Sequence, residues 1–318
     1  MKYEVLKLLK QQNGAYISGE RLAELLHMTR TAVWKNIAAL KSEGYDIQAV
    51  THRGYALRST TRGLAAPEVE GMLQTAVFGR PFYLFDQVSS TFDAIRQFPV
   101  QQGLTVAAKQ QTNGRGRLGR GWDAKPGGIY FSFYLNPRIE PQEAPFITLQ
   151  CALALQRAVG EVADCAIKWP NDLVVGGKKI CGILTQTCIA LDAIEYICAG
   201  IGINANLESF PSELPNATSL LLETGTAIDE NRLLCKCLAE LEDVFLHTSH
   251  TGALAEYKRR CITLGREVRV HYITGQPDVC GRCTDILMDG SLQVEEPDGT
   301  IHTVKSGEVS VRGIYGYI

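Results

Sequence analysis

Along the first forty residues apolar side chains recur at intervals of three and four, the period of a helix with one buried face. Val5, Leu8 and Leu9 mark such a face between Tyr3 and Gln12, and Asn13-Gly14 breaks it. A second short helix, Gly19 to Leu26, carries the stripe Leu22, Leu25 and Leu26. A third runs from a Thr29 cap to about Glu43 with Val33, Ile37 and Leu40 inward, and Gly44 stands where a left-handed terminating residue belongs. Two short strands follow, Tyr45 to Val50 and Tyr55 to Arg58, turning through Thr51-His52-Arg53-Gly54. Three helices and a hairpin predict a winged helix-turn-helix over 1–62, with Ser59-Thr60-Thr61-Arg62-Gly63 as the way out of it.

The pattern then changes to short apolar runs between long amphipathic stretches. Phe82 to Phe85, Thr105 to Ala108 and Gly127 to Phe133 read as strands, and Ala144 to Val162 as a long helix. Leu173 to Ile180 is a hairpin turning at Gly176-Gly177, and Lys179 to Leu184 and Glu195 to Cys198 enter further strands. Asn231 to His247 is amphipathic, with Leu233, Leu234, Leu238, Leu241 and Phe245 inward. Strands beside long helices predict a central mixed-sheet α/β domain over 63–264 with its site at one edge. From Gly265 short alternating runs are punctuated by Asp289-Gly290 and Asp298-Gly299, which predicts a small SH3-like β-barrel over 265–318. The whole is a multidomain α+β chain.

Composition sharpens this picture at one point. The 318 residues carry a net charge of −2, yet the first sixty hold nine basic residues against five acidic ones, so that segment is +4 and the rest −6. A basic module on an acidic body points to nucleic acid. The third helix leaves Arg30, Thr31, Trp34 and Lys35 outside, and Arg53 sits on the hairpin turn, so these five are the candidate DNA-binding residues. No stretch has the length and apolarity to cross a bilayer, which predicts a cytoplasmic protein with no membrane partner. Ten cysteines are scattered among apolar neighbours; Cys280-Gly281-Arg282-Cys283 has the spacing of half a zinc knuckle but lacks a second pair, so no metal site is expected from it.

The chemistry concentrates between Gln111 and Trp122. Three arginines and four glycines fall between Gly114 and Trp122, a backbone able to approach an anion closely while guanidinium forks reach its oxygens. Glycine at this density predicts a loop that orders around a phosphate-bearing ligand. Upstream, the hydroxyls of Ser90 and Thr91 end a strand, where they can meet a small polar ligand or cap the next helix. Downstream, Lys168 lies in the run Ile167-Lys168-Trp169-Pro170-Asn171-Asp172, an expensive place for a charge unless an anion meets it or its head reaches water.

These segments, together with Lys179-Ile180-Cys181-Gly182-Ile183-Leu184 and Gly200-Ile201-Gly202-Ile203-Asn204-Ala205-Asn206, resemble the biotin protein ligase family. The preceding winged helix resembles its bifunctional form, in which the ligase is also the repressor of the biotin operon. The resemblance implies a two-step reaction: biotin and ATP give biotinyl-5′-AMP and pyrophosphate, and a lysine of a biotin carboxyl carrier protein then takes the biotinyl group. By resemblance, Ser90, Thr91 and Gln111 lie against biotin's ureido head. Gly114, Arg115, Gly116 and Arg117 surround its carboxylate and the phosphates, and Lys168 holds the reacting oxygens, so Lys168, Arg115 and Arg117 are the expected catalytic residues. Asn204 and Lys179 are candidates for the adenylate side, Asn171 and Gly182 are expected among the biotin or adenylate contacts, Trp122 offers an aromatic surface near adenine, and Asp172 orients the incoming lysine or a Mg2+ ion. Phe92 departs from the family, which usually has asparagine after Ser-Thr, and is expected only as a pocket neighbour. The same resemblance implies operator DNA as a partner and a homodimer promoted by the adenylate, which serves as corepressor. Two rivals share parts of this pattern: a ligand-sensing winged-helix regulator without ligase activity, and a lipoate ligase, which should lack the arginine-glycine segment and the winged helix.

Overall fold

The computed structural model describes residues 2–42, 45–59, 63–137, 139–191, 193–273, 275–313 and 317. The chain divides into two compact units, Met1–Gly71 and Met72–Ile318.

The first unit contains α1 (Lys2–Gln11), α2 (Gly19–Leu25), α3 (Arg30–Ser42), the antiparallel strands β1 (Asp46–Val50) and β2 (Gly54–Ser59), and all but the last residue of α4 (Ala66–Met72). Caps set the helix starts: Ser18 accepts from the Arg21 N–H at 3.0 Å, and Thr29 from the Ala32 N–H at 3.1 Å. Val5, Leu9, Leu22, Val33, Ile37 and Leu40 meet in one core, so the expected inner faces hold with one exception. Leu25 is 43 % exposed, and Ala23 is buried instead. At about 100° per residue, Leu22, Leu26 and Ala23 share one arc of the helix and Leu25 falls outside it. The hairpin is clamped to the α1–α2 connection by Ile17 and Tyr55, which exchange backbone hydrogen bonds of 2.9 Å each way. Gly54 sits in that clamp at φ 97°, where a Cβ would lie 2.1 Å from the Ile17 carbonyl oxygen. Gly44 and linker residues Thr60, Thr61 and Arg62 lie outside the described residues. Just beyond them, α4 buries Glu68, which accepts a hydrogen bond from Tyr45 and pairs with Lys10.

The second unit runs β3 (Phe82–Val88), α5 (Thr91–Ala94), β4 (Thr105–Arg115), β5 (Gly121–Ala124), β6 (Ile129–Leu135), α6 (Ala144–Val159), β7 (Ala166–Lys168), β8 (Asp172–Val175), β9 (Lys178–Ala190) and β10 (Ala193–Ile203). Then come α7 (Leu220–Thr224), α8 (Glu230–Leu246) and α9 (His250–Arg260), followed by β11 (Glu267–Tyr272), β12 (Val279–Ile286), β13 (Leu292–Glu295), β14 (Ile301–Val304) and β15 (Val309–Gly313). The main sheet has the order β3-β4-β6-β10-β9-β8-β7, with β5 added to β4. It is mixed as expected: β3 and β4 are parallel and the other pairs antiparallel. Every residue of β6 is buried, and α6 is buried along most of its length, so this sheet is covered where it matters for the core. Gly176 and Gly177 turn the β8–β9 hairpin at φ 56° and 79°.

Three expectations change. Helix α6 stops at Val159, and Val162 is 41 % exposed beyond it. The arginine-glycine segment is a hairpin rather than a loop: β4 continues through Gly114 and Arg115, which pair with Trp122 and Gly121 of β5. Backbone pairing offsets the entropy that so much glycine costs. The last five strands form an antiparallel sheet in the order β14-β13-β12-β11-β15, and among the described residues its two edge strands do not pair to close it.

Candidate active site

A cavity of about 480 Å3 opens over the strand ends of the second unit, lined by the β4–β5 hairpin, β7, β8, β9, β10, the segment 210–217 and β15. Six cations line it, Arg115, Arg117, Arg120, Lys168, Lys179 and Arg312, against the carboxylates of Asp123 and Asp172. An excess of positive charge in a concave site selects anions.

At one end lies a buried polar knot. Gln111 accepts from the Thr91 N–H at 2.7 Å and from its hydroxyl at 3.2 Å, and Ser132 donates to Thr91 Oγ1 at 2.8 Å. Ser90 accepts from the Phe92 N–H at 3.2 Å, so it caps α5 as well as lining the cavity. Phe92 is buried among Ile95, Leu104, Val106, Tyr134 and Cys198. Its ring lies against β10, where a Cβ on Gly200 would come within 2.5 Å of it.

Two more glycines form a second platform. Gly182 and Gly202 are partners across β9 and β10, and Trp122 covers both; added Cβ atoms would lie 2.7 and 2.6 Å from the indole. Trp122 Nε1 is buried with no hydrogen-bond partner among the described residues, an orphan donor that a ligand acceptor would satisfy.

The charged residues are held differently from one another. Arg117 donates to Asn171 Oδ1 at 3.0 Å and to the backbone carbonyls of Ser306 and Val309, and Asn171 is itself pinned to the Ile183 carbonyl at 2.8 Å. These partners are neutral, so the guanidinium charge is left for an anion. Arg115 instead pairs with Asp93 at 2.7 Å and is 45 % exposed. Lys168, at the end of β7, is 5 % exposed. Burial pulls its ammonium down to about 8, with Asp172 opposing the shift and Lys179, Arg312 and Arg120 adding to it. Asp172 meets Lys179 Nζ at 2.7 Å and accepts from the Tyr317 hydroxyl at 2.5 Å. Trp169 anchors the segment between them, donating from Nε1 to the Gly290 carbonyl at 3.0 Å. Asn204 donates to the Thr218 carbonyl at 2.9 Å and fixes the floor to the 216–218 segment.

Of the site residues expected from sequence, the cavity gathers Ser90, Thr91, Phe92, Gln111, Arg115, Gly116, Arg117, Trp122, Lys168, Asn171, Asp172, Lys179, Gly182 and Asn204. Gly114 stands apart: a Cβ there would lie 2.4 Å from the Trp122 carbonyl oxygen, so it permits the hairpin's close approach without lining the cavity. Sequence reading missed Arg312 and Tyr317, and also Phe210, Leu214 and Asn216, which lie in a stretch with no periodic pattern. In the first unit Arg30, Thr31, Trp34, Lys35 and Arg53 are all exposed, and the Arg53 guanidinium stacks on Tyr16, 4.4 Å from its ring centroid.

A winged helix followed by a mixed-sheet domain with a cation-lined cavity defines a class that joins a helix-turn-helix module to an anion-binding site. The family description "Biotin/lipoate A/B protein ligase family" matches residues 84–204, "HTH domain" residues 2–56, and "Biotin protein ligase C terminal domain" residues 263–312. The bifunctional ligase/repressor BirA of Bacillus subtilis is 32 % identical over 324 residues, covering 98 % of each chain. The protein of the same name from Escherichia coli is 30 % identical and covers 94 % of each. The solved biotin protein ligase of Aquifex aeolicus in complex with biotin and ATP, 29 % identical, superposes with a TM-score of 0.64 over 73 % of this chain and 98 % of that one. The chain belongs to the biotin protein ligase family, in its bifunctional ligase/repressor branch.

Proposed function

We propose that the cavity binds biotin and ATP, joins biotin's carboxylate to the α-phosphate with release of pyrophosphate, and delivers the biotinyl group of biotinyl-5′-AMP to a lysine of a biotin carboxyl carrier protein. The observation that carries this reading is Lys168, an ammonium buried at the centre of the cavity with no carboxylate hydrogen-bonded to it among the described residues. Such a charge is costly until an anion arrives. Carboxylate and phosphate repel each other, and a fixed cation between them stabilises the charge that builds on the transferring oxygens. Arg117 and Arg115 hold the phosphates and the carboxylate. The knot of Ser90, Thr91 and Gln111 takes the ureido head, with Phe92 as an apolar wall in place of a polar contact. Trp122, on its glycine platform, faces adenine, and Asn171, Lys179, Gly182 and Asn204 shape the adenylate side.

Asp172 Oδ2 accepts from Tyr317, while Oδ1 is ion-paired with Lys179 but accepts no hydrogen bond; this single, already paired carboxylate is the cavity's candidate ligand, and among the described residues no group of three His, Cys, Asp or Glu side chains could hold a metal. The residues therefore do not fit a resident ion. Mg2+ belongs with the nucleotide, as part of the substrate.

On this reading the functional modules are 1–62, 63–264 and 265–318, the last an SH3-like module. The first binds operator DNA in a cytoplasmic homodimer favoured by the adenylate, with α3 in the major groove and Arg53 at the backbone. Biotin-dependent ATP–pyrophosphate exchange tests the ligase half. Exchange that needs biotin, fails with lipoate and collapses in Lys168→Ala is expected, and no exchange with any acid would sink it. Salt-dependent binding to operator DNA tests the other half.

A further inference from the structure

We infer that Tyr317 is a positioning residue of this ligase reaction, a wall over Lys168 and Asp172 that keeps water from the acyl-adenylate. The inference rests on the ligase reading above. The Tyr317 ring centroid lies 3.4 Å from Lys168 Nζ, and the hydroxyl donates to Asp172 Oδ2 at 2.5 Å. Asp172 Oδ1 in turn meets Lys179 Nζ at 2.7 Å. One aromatic side chain therefore closes a line of alternating charge across the middle of the cavity.

The choice of an aromatic ring has a chemical consequence. A ring face attracts an ammonium but does not take a proton from it, and it covers one side only. Lys168 is thereby shielded from water while its N–H groups stay available to carboxylate and phosphate oxygens. A carboxylate in the same place would bind Lys168 outright and compete with both substrates. Burial and the neighbouring Asp172 raise the Tyr317 phenol far above its usual range, so the hydroxyl stays a donor and holds the ring in place.

Two roles are compatible with a ring over Lys168: a tethered occupant that substrates must expel, or a fixed wall. The cavity decides between them. With Tyr317 in position it still encloses about 480 Å3, within the roughly 300–1,000 Å3 of ordinary ligand sites. Tyr317 lines this space and leaves it open.

The reaction makes such a wall useful. In the wasteful step a water oxygen bonds to the acyl carbon, the bond from that carbon to the phosphate oxygen breaks, and AMP leaves with the electron pair. Biotin is regenerated as its carboxylate, AMP is released as the dianion, and both protons of the water go to solvent. Excluding water suppresses this loss until a carrier lysine arrives.

The test uses the full-length protein with biotin, MgATP and pyrophosphatase, and measures AMP release without carrier in the wild type, Tyr317→Ala, Tyr317→Leu and Tyr317→Phe. Biotin-dependent ATP–pyrophosphate exchange is measured in parallel. Tyr317→Ala is expected to raise carrier-free AMP release about tenfold as water gains access to the acyl carbon, with the KM for biotin within about twofold of wild type. Tyr317→Phe keeps the ring and should stay near wild type in release. The alkaline limb of the exchange profile should move to lower pH in Tyr317→Leu, where Lys168 loses the attraction of the ring face while much of its shielding remains, a change that loss of packing alone would not produce. Tyr317→Leu, smaller than the ring, should also raise carrier-free AMP release, by less than Tyr317→Ala, and covers the case in which alanine unfolds the protein. Unchanged AMP release in both the alanine and leucine variants would overturn the wall, and so would a several-fold fall in the KM for biotin, which marks a tethered occupant. No exchange in the wild type would overturn the ligase reading itself; exchange with unaltered release would overturn the role of Tyr317 alone.

Discussion

Replacing Lys168 with methionine should stabilise the protein while abolishing its chemistry. Lys168 is 5 % exposed, and burial lowers its pKa from 10.5 to about 8. At about 1.4 kcal/mol per unit, holding the charged form in that site costs about 3 kcal/mol near neutral pH. Methionine has nearly the same length and no charge, so it escapes this cost, but it gives up about 1 kcal/mol of attraction to the Tyr317 ring. A net gain of about 2 kcal/mol remains, which for a unit of this size raises Tm by about 4–8 °C. The sign follows from linkage. Because the folded pKa lies below the unfolded one, the unfolded chain holds more protons between about 8 and 10.5, and wild-type stability rises with pH through that window. The advantage of Lys168→Met should therefore be largest near neutral pH and fall below half by about pH 9.5. Calorimetry of both proteins at the two pH values measures this, and biotin-dependent exchange measures the lost activity, expected to be at least about a hundredfold. A variant that melts at or below the wild type near neutral pH would refute the argument that the site holds its cation at a cost in stability.

Three other outcomes follow from the same geometry. Gly202→Ala puts a Cβ 2.6 Å from the Trp122 indole; exchange kinetics should show the KM for ATP raised about tenfold with that for biotin little changed. Glu242 accepts backbone hydrogen bonds from Ala76, Val77 and Phe78 at 2.8, 2.7 and 3.0 Å. Although burial raises its pKa, those three donors together lower it further, so its contribution is present above the ordinary carboxylate range and is lost as pH falls through the lowered value. Denaturant titration of Glu242→Gln should show a loss of about 1–2 kcal/mol near neutral pH that shrinks in acid. In the first unit, the guanidinium groups of Arg53 and Arg58 lie 4.4 and 4.7 Å from the centroid of the Tyr16 ring. Tyr16→Leu should weaken duplex DNA binding by about threefold to tenfold, with little change in the salt slope because both charges remain; fluorescence anisotropy at two salt concentrations measures both quantities.

The parts of this fold that were legible in the sequence are those set by local pattern. Val33, Ile37 and Leu40 repeat at helical spacing and are buried, and Gly176-Gly177 between two apolar runs is the turn it was expected to be. Helix α9 went unread, although Ser249 caps it by accepting from the Gly252 N–H at 3.1 Å, because only Ala253, Leu254 and Tyr257 are buried along its length. The arginine-glycine segment was read for its chemistry and mistaken in its structure, since the cross-strand partners of Gly114 and Arg115 stand beyond the turn at Leu118-Gly119. Arg312 and Tyr317 carried no local signal at all. They reach the cavity because Arg117 is bonded to the Ser306 and Val309 carbonyls, which brings the last strand beside a hairpin almost two hundred positions earlier.

Gly200-Ile201-Gly202-Ile203 shows where pattern and packing meet. A strand sends alternate side chains to opposite faces, so the two isoleucines share one face and the two glycines the other. That much can be read without coordinates, and the isoleucines are buried as the alternation requires. What the alternation does not reveal is why the second face is bare. Phe92 occupies the space over Gly200, and Trp122 the space over Gly202 and its cross-strand partner Gly182. Each aromatic ring lies where a Cβ would have been, so the glycines set the depth of the cavity and the rings line it. The effect of Phe92 is therefore coupled to Gly200. A bulkier residue at 200 would move Phe92 before it touched any ligand, and a smaller polar residue at 92 would open space directly above the β10 backbone.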